Sequence, residues 1–214
     1  MFVGHYGVSF AAKRFTPQTS LGTLFLAVQF LDVLFSVFVL LGIEQLRIVP
    51  GFTAYNPYDL IYMPYSHSLV ASVVWAIVAG LAMAALRGRT AGLWVGVAVF
   101  SHFLLDVPMH TPDLPIAGND SLKIGLGLWQ HRYLSLAAEL AVLAVGLGIY
   151  WPRAALTGPK RTSMIVFAAF LVILTLATPF MPPPPSDRFF AWQALFLYCF
   201  LAAVAAWVDR RRSA

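Results

Sequence analysis

Long uncharged apolar runs decide what this chain can fold into. No Asp, Glu, Lys or Arg occurs from Leu60 to Leu86, Thr90 to Leu105, Leu140 to Pro152, Thr162 to Ser186 or Phe189 to Val208. A further run, Leu21 to Ile43, is interrupted only by Asp32. A helix of about 20 apolar residues crosses a bilayer. Only helices and closed barrels satisfy every backbone polar group there. Of the 214 residues, 60% are hydrophobic and 11% charged, where a soluble domain carries about 25% charged residues. The expected fold is all-α: a polytopic transmembrane helix bundle, read as one integral membrane domain over residues 1–214. Six spans are expected, Leu21–Gln45, Ser68–Leu86, Ala91–Val107, Leu134–Trp151, Ser163–Phe180 and Phe189–Val208, plus a short amino-terminal helix.

Turn chemistry marks the cuts. Arg87-Gly88-Arg89 separates the second and third spans, and Pro152 with Thr157-Gly158-Pro159 separates the fourth and fifth. The run Pro182 to Pro185 cannot be helical and predicts a stiff connector. In the first twenty residues the basic pair Lys13-Arg14 follows the apolar stretch, the reverse of a signal peptide. That segment is expected to lie in the interface or dip partly into the membrane.

Basic residues orient the bundle. Ten of them, including Lys13, Arg87, Arg161, Arg211 and Arg212, fall on one side; Arg47, Lys123, Arg132 and Arg188 fall on the other. The richer side is expected to face the cytoplasm. Both termini then lie there, in a plasma membrane of the bacterial inner type. The single cysteine, Cys199, excludes an internal disulfide and a multi-cysteine metal site.

Ionisable side chains within spans cost about 2.5–3.5 kcal/mol on insertion scales and so point to function. They are His5, Asp32, His67, His102, Asp106 and Glu139, with His110 just outside. His102 and Asp106 are four apart and share a helical face. Imidazole and carboxylate at that spacing suit one metal ion, or else a structural hydrogen bond that closes the helix. His110 repeats the interval, but Pro108 is expected to break the helix before it. Gln29, Asp32 and Ser36 form a polar stripe, as do His131, Ser135 and Glu139; either stripe is a site or an interhelical clamp. Counting rise per residue puts Asp32 and His102 at about 16 Å and Glu139 at about 18 Å from the cytoplasmic ends. His67, near about 28 Å, fits that layer only if its helix tilts or the site opens outward.

Gly4-His5, Leu31-Asp32, Tyr65-Ser66-His67-Ser68-Leu69 and Ser101-His102-Phe103-Leu104-Leu105-Asp106, followed by Pro112, carry a resemblance. Over residues 1–115 the chain resembles the YdjM/YbcI-like membrane-bound metal-dependent hydrolases. These are distantly similar in ligand order to zinc-dependent phospholipase C and its related nucleases. Members commonly have a second acidic residue and a histidine just after the first Asp, where this chain has Val33-Leu34-Phe35. They often carry Gly-His-Arg before the Ser-His-Ser, where this chain has Ile61-Tyr62-Met63-Pro64. The resemblance implies zinc, or another metal, held by His5, Asp32, His67, His102 and Asp106.

The functional expectation is a membrane-embedded metal-dependent hydrolase. The metal would lower the pKa of a bound water and polarise a phosphoryl or acyl oxygen, and Glu139 or His110 would carry protons. The lipid bilayer is the expected partner, and a lipid or lipid-linked phosphoester the expected substrate. A proton- or metal-coupled transporter or binding protein, and a non-catalytic scaffold, remain alternatives. Nucleic acid is not expected, because the basic residues are spread over loops as topology requires. The sequence fixes no oligomeric state.

Overall fold

The computed structural model describes residues 1–154 and 156–210; Arg211 and Arg212, counted in the charge balance, lie outside the described residues. It is an all-α bundle of eight helices among those residues. They are α1 (His5–Phe15), α2 (Leu21–Val28), α3 (Phe30–Leu40), α4 (Leu69–Arg87), α5 (Arg89–Met109), α6 (Arg132–Tyr150), α7 (Gly158–Ala177) and α8 (Asp187–Arg210). Five helices are long and apolar enough to cross a membrane, or six spans if α2 and α3 count as one. Two short antiparallel hairpins, β1 (Gln45–Ile48) with β2 (Tyr58–Tyr62) and β3 (Leu114–Pro115) with β4 (Lys123–Ile124), join spans at one end of the bundle.

Local chemistry sets the helix limits. Ser68 caps α4 by accepting from the Ala71 N–H at 3.0 Å, and Gly88 ends it. Gly88 has φ +91°, a conformation strained for any L side chain, and it also begins α5. α4 and α5 approach closely along small residues. A Cβ on Gly92 would meet the Gly80 carbonyl and the Ala84 methyl at 2.5 Å, and one on Gly96 the Ala76 carbonyl at 3.1 Å. Such contacts are the usual basis of helix pairing in lipid.

Three details differ from the sequence-based expectation. The first span is not one straight helix to Gln45: it bends by 57° between α2 and α3, and its last residues turn into β1. Pro108 does not break α5 ahead of His110. It sits in the last turn, and the His110 N–H still bonds the Asp106 carbonyl at 2.9 Å. A proline loses only its own N–H bond and strains the carbonyl four back, which a terminal turn tolerates. The amino-terminal helix does not lie on the interface. α1 is wrapped by α2, α5 and α6, so close to α6 that a Cβ on Gly7 or Gly146 would strike the facing backbone. Met1 is therefore inside the bundle. Tyr6 stacks on Phe25, with ring centroids 4.2 Å apart, and Phe10 meets the same ring edge-on.

At the far end of α1, Lys13 Nζ donates to Asp209 Oδ2 (2.8 Å) and to the carbonyls of Pro17 and Thr19. The same Asp209 oxygen accepts from the Leu21 N–H. That knot ties α1, α2 and α8 together and fixes how deep the other end of α1 reaches.

Candidate metal centre

The bend in the first span, the buried α1, the turn before α4 and the last two turns of α5 converge on one cluster. His5, His102 and Asp106 form one group of potential ligands, and Asp32, His67 and His102 a second. Within each group the ligand atoms lie within 4.8 Å of one another. His102 belongs to both. Its Nε2 is 3.0 Å from Asp106 Oδ2 and 3.6 Å from Asp32 Oδ1. His67 Nε2 is 3.3 Å from Asp32 Oδ1, and His5 Nε2 is 3.2 Å from Asp106 Oδ1. His110 also faces in, with Nε2 3.6 Å from Asp106 Oδ2. The Met1 amine completes the ring around Asp106, 2.5 Å from Oδ1.

The depth puzzle over His67 resolves through placement. His67 lies in the turn before α4, and the cluster sits near the end of α5, not at the middle of the helix. Asp106 and His102 are about 5 and 10 Å from the end of α5 at 1.5 Å per residue. α4 starts where its antiparallel neighbour α5 ends, so a residue just ahead of α4 reaches the cluster directly.

For His67, His102 and His110 the inward-facing imidazole nitrogen is set by what the other nitrogen touches. His102 Nδ1 is 2.7 Å from the Val28 carbonyl, which can only accept, so Nδ1 donates and Nε2 presents its lone pair. His110 Nδ1 donates in the same way to Asp113 Oδ1 at 2.8 Å. His67 Nδ1 is 2.7 Å from Ser66 Oγ, which donates to Glu44 Oε2 at 2.5 Å. Glu44 Oε1 accepts from the N–H groups of Tyr65 and Ser66. Burial pushes the Glu44 carboxyl pKa above its ordinary value, and the Ser66 and Tyr65 donors pull against that. Fixing a ligand's tautomer through its outer nitrogen is characteristic of metal-binding histidines. Asp32 is held likewise: the Tyr198 hydroxyl donates to Oδ2 at 3.1 Å, leaving Oδ1 to the cluster.

Neither ring nitrogen of fully buried His5 has a hydrogen-bond partner, nor does His102 Nε2. The His5 and His102 rings stack in parallel, with centroids 3.9 Å apart. Buried polar atoms are normally satisfied, and unpartnered imidazole nitrogens aimed at two carboxylates are what a bound cation would satisfy. The N and O donor set suits a divalent transition ion. These buried His and Asp groups thus form a candidate metal site, built from all five residues expected as ligands.

Glu139 stands apart from that set. Its oxygens accept from the N–H groups of Phe2 (2.8 Å) and Gly4 (2.6 Å), and the Tyr55 hydroxyl lies at 3.4 Å. In the structure it holds the segment that delivers His5. Glu44, Asp113 and Tyr198 were not singled out from sequence. Asp113 stands three residues after His110, a readable spacing; Glu44 and Tyr198 reach the site only through tertiary packing.

A search against family models, curated proteins and solved structures finds no match to this chain.

Proposed function

We propose that the protein is a membrane-embedded, metal-dependent hydrolase acting on an ester or phosphoester of a lipid. The reading draws on the YdjM/YbcI-like resemblance and rests on one observation above others. Three buried histidines, from α5, its C-terminal end and the turn before α4, turn Nε2 toward Asp32 (His67), Asp106 (His110) or both (His102), while Nδ1 is engaged elsewhere. A structural histidine needs no such uniform aim. His5, His67, His102, Asp32 and Asp106 would hold the ion, with zinc the metal best matched to this donor set. When bound, the metal would supply Lewis acidity toward the scissile ester.

The chain's own groups have separate tasks in this reading. Asp32 is the ligand open to a substrate, its side chain 19% exposed against 2% for Asp106. Tyr198 orients Asp32. His110, paired with Asp113 and facing Asp106, would move a proton. Glu139 positions the amino-terminal segment.

Metal analysis of the purified protein tests the reading. Wild type is expected to copurify with, or take up, a divalent ion, and His102→Ala to lose it together with esterase turnover. Equal metal in both proteins would overturn it.

The charge balance supports an orientation in which the hairpin end faces outward and the Lys13–Arg14 end of α1 faces the cytoplasm. A membrane-impermeant thiol reagent, in a Cys199→Ala background, is then expected to label Asn119→Cys from outside and to miss Gly88→Cys.

A further inference from the structure

The candidate metal centre opens into a cleft of about 200 Å³ that runs outward between α3, α7 and α8. Its inner end is Asp32, His67 and Asp106. Its walls are Phe35, Leu60, Leu174, Phe190 and Leu197, and its mouth is at exposed Met181 and Gln193. α7 and α8 are both candidate membrane spans, and the mouth lies by the C-terminal end of α7 and the first turns of α8.

Charge decides what the cleft can accept. Among the described residues no Lys or Arg lines it. Arg132 donates to the Ala54 carbonyl and lies 5.2 Å from the Phe180 ring centroid, and it is not part of the lining. The polar side chains added by the walls are neutral: Asn56, Thr178, Gln193 and Tyr198. Asp32, Asp106 and Glu139 contribute three carboxylates. One divalent ion would not outweigh those three carboxylates, so it leaves no positive surplus. Phosphate recognition ordinarily recruits Arg or Lys. An anionic head would be desolvated here without a matching charge.

We infer that the substrate is an amphiphile with an uncharged scissile group, a carboxylic ester or amide, and a hydrocarbon chain lying along the α7–α8 wall. This rests on the metal-dependent reading above and narrows it away from phosphoesters. The hydrocarbon chain supplies affinity by leaving water or the headgroup layer for an apolar wall. A neutral donor such as Gln193 suits a carbonyl oxygen, which needs a hydrogen bond and not a counter-charge.

The test is a binding measurement on the full-length protein in micelles, loaded with Zn²⁺. The probes are octanohydroxamic acid, acetohydroxamic acid and octylphosphonic acid, each affinity divided by that for the free ion in the same micelles. The eight-carbon hydroxamate is expected to bind at least about tenfold tighter than the two-carbon one. It is also expected to exceed the phosphonate by at least about tenfold. Ala194→Trp, which fills the cleft, should erase the chain-length effect while the metal stays bound. Gln193→Arg, at the exposed mouth where folding is undisturbed, should narrow the gap between the two heads. Equal affinity for long and short hydroxamates, a preference for the phosphonate, or a metal-loaded protein that binds none of them would overturn this inference alone. A protein that takes up no metal would overturn the underlying reading, and this inference with it.

Discussion

α4 and α5 are antiparallel neighbours of 19 and 21 residues, both apolar enough to span, yet they do opposite work. α4 buries only Ser72 and Ala76 and turns Val74, Ile77, Leu81 and Leu86 outward. α5 is the less apolar of the two and buries Val95, Val99, His102, Phe103 and Asp106. The contrast shows that hydropathy reports surroundings, not importance. A helix facing lipid must be apolar on nearly every side, because any polar group there is stranded. A helix facing protein can carry polar groups where neighbours satisfy them. The span with the weaker hydrophobic signal is thus the one that carries candidate ligands, His102 and Asp106.

Substitutions can break or sharpen that contrast. The α4 side contributes to the centre only through the turn ahead of the helix, so Ser66→Ala carries the largest expected effect. It cuts the link from His67 Nδ1 to Glu44 and is expected to weaken metal binding by about 10–100-fold, read by competition with a metallochromic chelator. Unchanged affinity would show that His67 is oriented by packing alone. Next is the shared face. Gly92→Val forces side-chain atoms into the Gly80 carbonyl and Ala84, and is expected to cost about 1–3 kcal/mol in thermal or denaturant unfolding. A stable Gly92→Val protein would mean the two helices can separate without consequence. The smallest effect belongs to the outer face of α4. Leu81→Ala, at a side chain 66% exposed, is expected to change stability by no more than about 0.5 kcal/mol and metal content not at all. A larger loss would place protein, not lipid, against that face.

What could be read beforehand follows the same division. Spans were legible because uncharged runs and Gly/Pro punctuation are local signals. Gly88 and the Pro182–Pro185 connector ended helices where expected. The His102–Asp106 pair was legible from its spacing alone. The bend at Gln29 was not, since Leu21 to Ile43 reads as one apolar run interrupted only by Asp32 and holds no proline. Beside the bend the Val28 carbonyl meets His102, a residue far along the chain. Glu44 was hidden for a similar reason: it meets Ser66 only after β1 pairs with β2 and returns the chain. The burial of α1 was half legible. Its small residues, Gly4 and Gly7, permit close approach, but only α6 shows what they approach.

Biogenesis makes the kink at Gln29 a late event. When the first apolar segment enters the bilayer, α5 has not been synthesised, and the Val28 oxygen has no imidazole to meet. Hydrocarbon offers no substitute, and a stranded carbonyl there costs several kcal/mol. The nascent segment is therefore driven to close its own helical ladder and stand straight. In the folded bundle His102 takes that oxygen beside the bend, which fixes which imidazole nitrogen is left over. One hydrogen bond thus joins the curve of the first span to the aim of a candidate ligand on the fifth helix.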